Sequence, residues 1–320
     1  MANVEGIRIL DATVRDGGLV NDFYFTDELV RAVYAANLAA GVDYMEFGYR
    51  ADRRQFDPAK FGPWKFTSDD DIRRIIGGEK AGLKVSVMCD VGRTDFRRDL
   101  RPRAESPVDL VRVATYIDAI DQAVEMIEYA DAMGYETACN IMAISTCTDG
   151  QMLAAMDALA RCPAMVVYLV DSYGALYPKQ VRHITRLFRD RLSPAGKFVG
   201  VHAHNNQQCA FANTLEARDM GARFLDGTAY GMGRGAGNCH MEALLGVYNG
   251  KKYHVEPILD LVQHEMLALK EQGAARGQDW GYNTSYLLTG LTNQHPRDAI
   301  AATRAGNHDF KEQYLSHAYQ

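Results

Sequence analysis

Short runs of β-branched and apolar residues recur along the chain, each followed by a turn and then by a stretch with apolar positions at i, i+3 and i+4. The runs read "IRILDAT" (7–13), "YMEFGY" (44–49), "KVSVMCD" (84–90), "LVRVAT" (110–115), "TACNIMAI" (137–144), "MVVYLVD" (165–171), "FVGVHAH" (198–204) and "RFLDGTA" (223–229). Most are nearly continuous in apolar character, as expected of parallel strands covered on both faces. Between them, "TDELVRAVYAANLAAG" offers Thr26 as an N-cap and Gly41 as a C-cap around a helical spacing. Similar patterns run through "DDDIRRIIGGEKAG", "IDQAVEMIEYADAMG", "GQMLAAMDALARC", "YPKQVRHITRLFRD" and "FANTLEARDMG".

This alternation predicts a parallel α/β protein, and eight repeats within about 250 residues predict a closed (β/α)8 TIM barrel over residues 1–250. An open doubly wound sheet is the other architecture with the same alternation. From 251 to 320 the pattern changes: "EPILDLVQHEMLALKEQGAARG" reads as a long helix and the remainder as shorter helices without a strand. The expectation is a C-terminal helical extension packed on the barrel.

Composition narrows the classes. With 320 residues, 47% hydrophobic and 24% charged, the chain can bury a full core. The net charge of −6 and the scattered lysines and arginines disfavour a nucleic-acid partner, which would call for a basic footprint. "MANVEGIRILD" has no signal-peptide pattern and no run of eighteen uncharged apolar residues follows, so a cytoplasmic protein without a membrane span is expected. The six cysteines, at 89, 139, 147, 162, 209 and 239, never approach CxxC spacing and read as reduced thiols.

In such a barrel, chemistry collects at the carboxyl ends of the strands, and polar residues do cluster there. Arg15 and Asp16 follow the first strand, Glu46 and Arg50 flank the end of the second, Asp171 closes the sixth, His202 and His204 end the seventh, and "GMGRGAGN" follows the eighth. Taken alone, "LDATVRDGGLVND" reads first as a solvated turn, and a lone HxH first as a core histidine beside a surface one. Residues two apart on a strand point the same way, however, so both imidazoles share one side. With Asp16 brought near by closure of the barrel, they form a nitrogen and oxygen ligand set suited to manganese, magnesium, cobalt or zinc. The glycines of "GMGRGAGN" allow close backbone approach to a ligand or form a tight turn; Arg234 within the loop is a candidate substrate contact, and Asn238 at its end directs an amide toward the site.

Together "LDATVRDGG", "HAHNN" and "GMGRGAGN" resemble the metal-dependent lyase and aldolase barrels grouped by an Asp-Arg-Glu signature, the DRE-TIM metallolyases. That group includes hydroxymethylglutaryl-CoA lyase, isopropylmalate and homocitrate synthases and 4-hydroxy-2-oxovalerate aldolase. "LVRVATYIDAIDQAVEMIEYADAMGYETACNIMAIS", "VDSYGALYPKQV" and "HAHNNQQCAFANTLEA" resemble the aldolase branch over long stretches. The resemblance implies that Asp16, His202 and His204 ligate a divalent cation, that Asn238 can reach it, that Arg15 binds the oxygen that becomes an enolate, and that Glu46 holds Arg15. The implied activity makes or breaks a carbon–carbon bond through the enolate of pyruvate or a related 2-oxo acid, with an aldehyde or keto acceptor. An acyl-CoA condensing enzyme or lyase, and a catalytically altered barrel serving as a partner or scaffold, are the alternatives. Docking to an aldehyde dehydrogenase and homo-oligomerisation are further expectations.

Two departures stand out. The aldolases carry a histidine two residues beyond Arg-Asp-Gly, where this chain has Leu19. The proton carrier is therefore sought among a metal-bound water, Tyr116, Tyr230, Tyr282 and Tyr286, the last two lying where the aldolase extension contributes a tyrosine. The long second loop brings Arg50, Arg53 and Arg54, whose guanidinium forks suit an anionic group on the substrate.

Overall fold

The structure, a computed structural model, describes residues 5–77, 80, 82–250 and 252–318. Eight parallel strands close into a barrel in sequence order: β1 (Arg8–Asp11), β2 (Tyr44–Tyr49), β3 (Lys84–Asp90), β4 (Leu110–Thr115), β5 (Glu136–Ile141), β6 (Val166–Asp171), β7 (Phe198–Ala203) and β8 (Phe224–Gly227). The (β/α)8 TIM barrel is thereby established, and the open sheet is excluded by the pairing of β1 with β8, Leu10 opposite Asp226.

Strand periodicity sorts the side chains into two cores. Leu10, Tyr44, Leu110, Ala138, Val166, Tyr168, Val170 and Phe224 pack together inside the barrel. Their odd-numbered neighbours, among them Ile9, Met45, Val87, Val113 and Leu225, face the helices in a second, larger cluster. Continuous apolar strands are the consequence of burying both faces. Gly200 on β7 is required by this packing, since an added Cβ would sit 2.5 Å from the Tyr168 ring.

The helices begin where local chemistry caps them. Thr26 accepts a hydrogen bond from the Leu29 amide at the start of the helix Asp27–Ala39, and capping boxes at Ser68 with Asp71 and Thr148 with Gln151 start Asp69–Ile76 and Asp149–Leu159. Gly41 takes φ +73 just beyond the first of these, as its C-cap reading requires. The end of the stretch expected over 69–82 includes residues 78, 79 and 81, outside the described residues, as are residues 1–4 of the amino-terminal stretch.

Three differences from the sequence reading matter. Thr13–Gly17 is not a strand end followed by a turn but one turn of helix, with Asp16 N–H bonded to Ala12 O at 2.8 Å. The helix expected over 256–277 is interrupted by a π-turn at Val262–Met266 between Glu256–Leu261 and Leu267–Ala274. After Ile141 the chain leaves the sheet, and Ala143 adopts φ +51 with its N–H on Ser172 Oγ.

The C-terminal helices Thr284–Leu291, Arg297–Arg304 and Phe310–Ala318 follow the barrel. Asn206, just after β7, fastens the first of them: its Nδ2 donates to Tyr286 O and to Thr289 Oγ1, both at 3.1 Å. Gln207 adds a bond to Gly290 O at 3.2 Å. Two neighbouring residues of "HAHNNQ" thus dock the extension onto the barrel mouth. All six cysteines are unpaired, and no helix among the described residues is long and apolar enough to cross a membrane.

Candidate functional site

At the carboxyl end of the barrel, Asp16, His202 and His204 come together, fully buried, with one potential ligand atom from each within 4.8 Å of the others. His202, on β7, and His204, just beyond its end, hold their ring centroids 5.3 Å apart. His204 Nε2 lies 3.9 Å from Asp16 Oδ2.

The protonation chemistry fits a metal. His202 Nδ1 sits 3.0 Å from Asp226 Oδ2, so a proton on Nδ1 is shared with that carboxylate and the Nε2 lone pair is left free. Nε2 is buried and has no hydrogen-bond partner. Burial, countered in part by Asp16, pushes the His204 imidazole down to about 3, so this ring is neutral as a ligand must be. Burial alone would raise the Asp16 carboxyl, but Arg15, His204, His202 and the Asn238 amide together hold it well below the usual carboxylate range. Asn238 Nδ2 donates to Asp16 Oδ2 at 2.6 Å, while its Oδ1 is buried and unpartnered. Orphaned acceptors of this kind, in a dry nitrogen and oxygen cluster, are what a divalent cation satisfies.

Arg15 is clamped beside this cluster. Its Nη1 donates to Asp16 Oδ1 at 2.5 Å and its Nε to Glu46 Oε2 at 2.7 Å. Burial disfavours its charge, yet Glu46 and Asp16 outweigh burial and keep it protonated. Beneath lies a cation absent from the sequence reading: Arg112, fully buried on β4, donates to Glu46 Oε2 at 2.9 Å and to Asp226 Oδ2, and stacks 4.3 Å above the Tyr168 ring. A charge chain therefore runs Asp16, Arg15, Glu46, Arg112, Asp226, His202. The signal in the sequence was a lone arginine in the apolar run "LVRVAT" and a lone aspartate in "RFLDGTA", both at inward positions.

The cluster opens into a cleft with about 60 Å³ of free space, lined by Arg15, Asp16, Leu19, His202, His204 and Arg234 among others. Tyr116 stands at its exposed rim, 44% accessible. Tyr49, Asn140, Tyr173 and His295 also line it and were not anticipated. Leu19 faces the cleft, so the position where the aldolases carry histidine is occupied here by an apolar wall. The "GMGRGAGN" loop approaches closely, but what it approaches is the cluster itself: a Cβ on Gly233 would lie 2.5 Å from Asp16 Oδ2. Asp171, by contrast, faces its own loop and accepts from the Ala175 and Leu176 amides.

Six expected residues lie elsewhere. Arg50 is turned to Asp69 and lines a separate cavity of about 350 Å³ with Arg53; Arg54 is paired with Asp52 and Asp95. Arg50 and Arg54 are thus already balanced by carboxylates of the protein, and Arg53 lies over the Phe66 ring. Tyr230, at φ +54, turns its ring against Trp280, centroids 6.3 Å apart. Tyr282 is 65% exposed beside a different cavity on that side. Tyr286 is buried against Ala236 and Ala299, where it seals the extension onto the loop.

Comparison with known proteins shows what the chain is similar to. Residues 6–268 match the family model described as HMGL-like. An oxaloacetate decarboxylase of Mycobacterium tuberculosis is 30% identical over 98% of this chain and 92% of its own. A 4-hydroxy-2-oxovalerate aldolase of Bacillus cereus is 30% identical over 84% of this chain and 76% of its own. Among solved structures, the N-terminal domain of a candidate aldolase from Bacteroides vulgatus superposes with a TM-score of 0.80 at 25% identity, covering 97% of this chain and 100% of that one.

Proposed function

The chain belongs to the HMGL-like family, and on that footing we propose that it is a divalent-metal-dependent carbon–carbon lyase of aldolase type, acting through the enolate of pyruvate or a related 2-oxo acid. The observation that supports this reading most is the buried set of Asp16, His202 and His204 with the Arg15 guanidinium clamped beside it. The relatives named above are named for 4-hydroxy-2-oxovalerate and oxaloacetate, both 2-oxo acids.

Asp16, His202 and His204, with Asn238 Oδ1 in reserve, would hold a divalent ion, which would supply Lewis-acid polarisation of a 2-oxo acid's carbonyl. Arg15 offers a fixed cationic donor to the keto oxygen as negative charge develops there, and its clamp means no reorganisation is needed at that moment. Glu46 positions Arg15, and Asp226 positions His202. Met88, Ala114, Met142, Val170 and Leu19 keep the cleft walls apolar, which strengthens each of these interactions.

Aldol cleavage also requires a base for the 4-hydroxyl proton. Leu19 cannot serve, and the hydroxyls left at the cleft belong to Tyr49, Tyr116, Tyr173 and Ser172. Burial pushes the Tyr49 hydroxyl well above its ordinary range, so it stays protonated at neutral pH and offers no phenolate to act as the base. Loss of carbon dioxide from a 3-carboxylated 2-oxo acid yields the same enolate with no hydroxyl proton to remove. Leu19 therefore favours β-decarboxylation of an oxaloacetate-like substrate as a second reading.

The test is solvent exchange. Manganese-loaded protein incubated with pyruvate in deuterated water is expected to exchange the methyl protons, followed by NMR, under either reading. Exchange of an acyl-CoA instead would transfer the assignment to the thioester enzymes. No exchange with any candidate, together with no manganese binding, would make the barrel a scaffold. Rates of pyruvate release from 4-hydroxy-2-oxovalerate and from oxaloacetate then separate the two readings.

A further inference from the structure

Arg234, from the loop after β8, and His295, from the turn between the helices Thr284–Leu291 and Arg297–Arg304, meet at the mouth of the cleft. Arg234 Nη2 donates to Ser172 O at 3.0 Å, its Nη1 lies 3.3 Å from His295 Nε2, and its Nε is buried without a partner. Among the described residues no carboxylate pairs with this guanidinium, in contrast to Arg15, Arg50, Arg54 and Arg112.

His295 is placed with equal definition. Its Nδ1 accepts the Arg297 N–H at 3.1 Å, which puts the proton of the neutral ring on Nε2. Burial, reinforced by the charges of Arg234 and Arg297, pushes the imidazole down to about 4, so the ring is neutral near pH 7. The Tyr173 ring meets it edge-on at 5.9 Å, and Asn293 ties the turn to Ser145 O at 3.1 Å. Two groups that can only donate toward each other, a guanidinium N–H and an imidazole N–H, are thus held 3.3 Å apart with no acceptor between them. A half-buried arrangement of this kind, with the Arg234 Nε buried and unpartnered, lacks one component, an anionic oxygen.

We infer that Arg234 Nη1 and His295 Nε2 form a receptor for a second carboxylate, carried by the part of the substrate remote from the 2-oxo acid head. The inference rests on the function proposed above and specifies it: in the aldol reading the aldehyde or keto fragment carries a carboxylate, and in the decarboxylation reading the group held is the substrate's second carboxylate before it leaves as carbon dioxide. A planar carboxylate suits the fork of Arg234, and the small free volume of the cleft favours it over a bulkier phosphate. Recognition of the anion thereby falls to the barrel loop and the docked extension, not to the arginines of the second loop.

The test compares affinities of manganese-loaded protein, by calorimetry, for 2-oxo diacids of four to six carbons and for the 2-oxo monoacids of equal length. At least one diacid is expected to bind about tenfold to a hundredfold more tightly than its monoacid, the range for charge-assisted hydrogen bonds. Arg234→Ala and His295→Phe should each collapse that ratio, and Arg234→Lys, which keeps the charge without the fork, should restore part of it. A ratio near one in the wild type, or variants that weaken diacid and monoacid equally, would overturn the receptor. Absence of pyruvate methyl exchange with the diacid preference intact would instead remove the lyase reading and leave the receptor standing.

Discussion

Replacing Arg112 with methionine tests the charge chain beneath the site. The guanidinium is fully buried and bridges Glu46 and Asp226, which are themselves buried. Methionine fills much of the same volume over Tyr168 but leaves two carboxylates inside the barrel without their shared cation. Breaking a buried pair from one side costs about 3–5 kcal/mol, because the remaining charge keeps its desolvation penalty. At about 2 °C per kcal/mol for a chain of this length, the unfolding midpoint should fall by about 6–10 °C. Differential scanning calorimetry of metal-free protein measures it. The same argument demands that Arg112→Met combined with Glu46→Gln and Asp226→Asn recover at least half of the loss, since no buried charge is then orphaned. A single variant within about 2 °C of wild type, or a triple variant no more stable than the single one, would refute the reasoning.

Asp16→Asn removes the carboxylate of the candidate ligand set and should weaken manganese binding by about a hundredfold or more; electron paramagnetic resonance of free manganese reads this directly, and unchanged binding would sink the assignment. Leu19→His places an imidazole in the cleft wall and should raise the cleavage rate of 4-hydroxy-2-oxovalerate by about tenfold or more, with a smaller effect on oxaloacetate; equal changes would show that Leu19 does not mark a missing base. Burial pushes the Asp11 carboxyl up to about 7, against the hydrogen bonds it accepts from Thr13. Between about pH 4 and 7 the folded state therefore binds a proton that the unfolded state has released, and stability falls as pH rises through that window. Asp11→Asn should flatten this contribution, so parallel melting profiles of the two proteins across pH 4.5–8 would count against it.

The readable parts of this molecule are those with short-range causes. Strand bounds at β2, β3 and β4 coincide with the apolar runs because a parallel strand buried on both faces leaves a continuous apolar signature. Thr26 and Gly41 mark their helix because capping is a contact within one turn. The pairing of His202 with His204 follows from the two-residue period of a strand, and once closure is assumed Asp16 must come near them. The glycines of "GMGRGAGN" were legible as a close approach but not as an approach to Asp16.

What the chain alone determined, then, is the order of elements, the barrel they can close into and the ligand types presented at its rim. Only the tertiary structure decided which charges meet. Arg112 reaches Asp226, 114 positions away, because both side chains point into the same barrel interior; no local pattern encodes that distance. Arg50 is paired with Asp69, the first residue of the helix that follows its loop, so its charge is satisfied within the protein. His295 stands at the cleft because Asn206 and Gln207 hold the extension's backbone 80 residues further along the chain, so one docking contact sets the position of a side chain that sequence periodicity had no means to place.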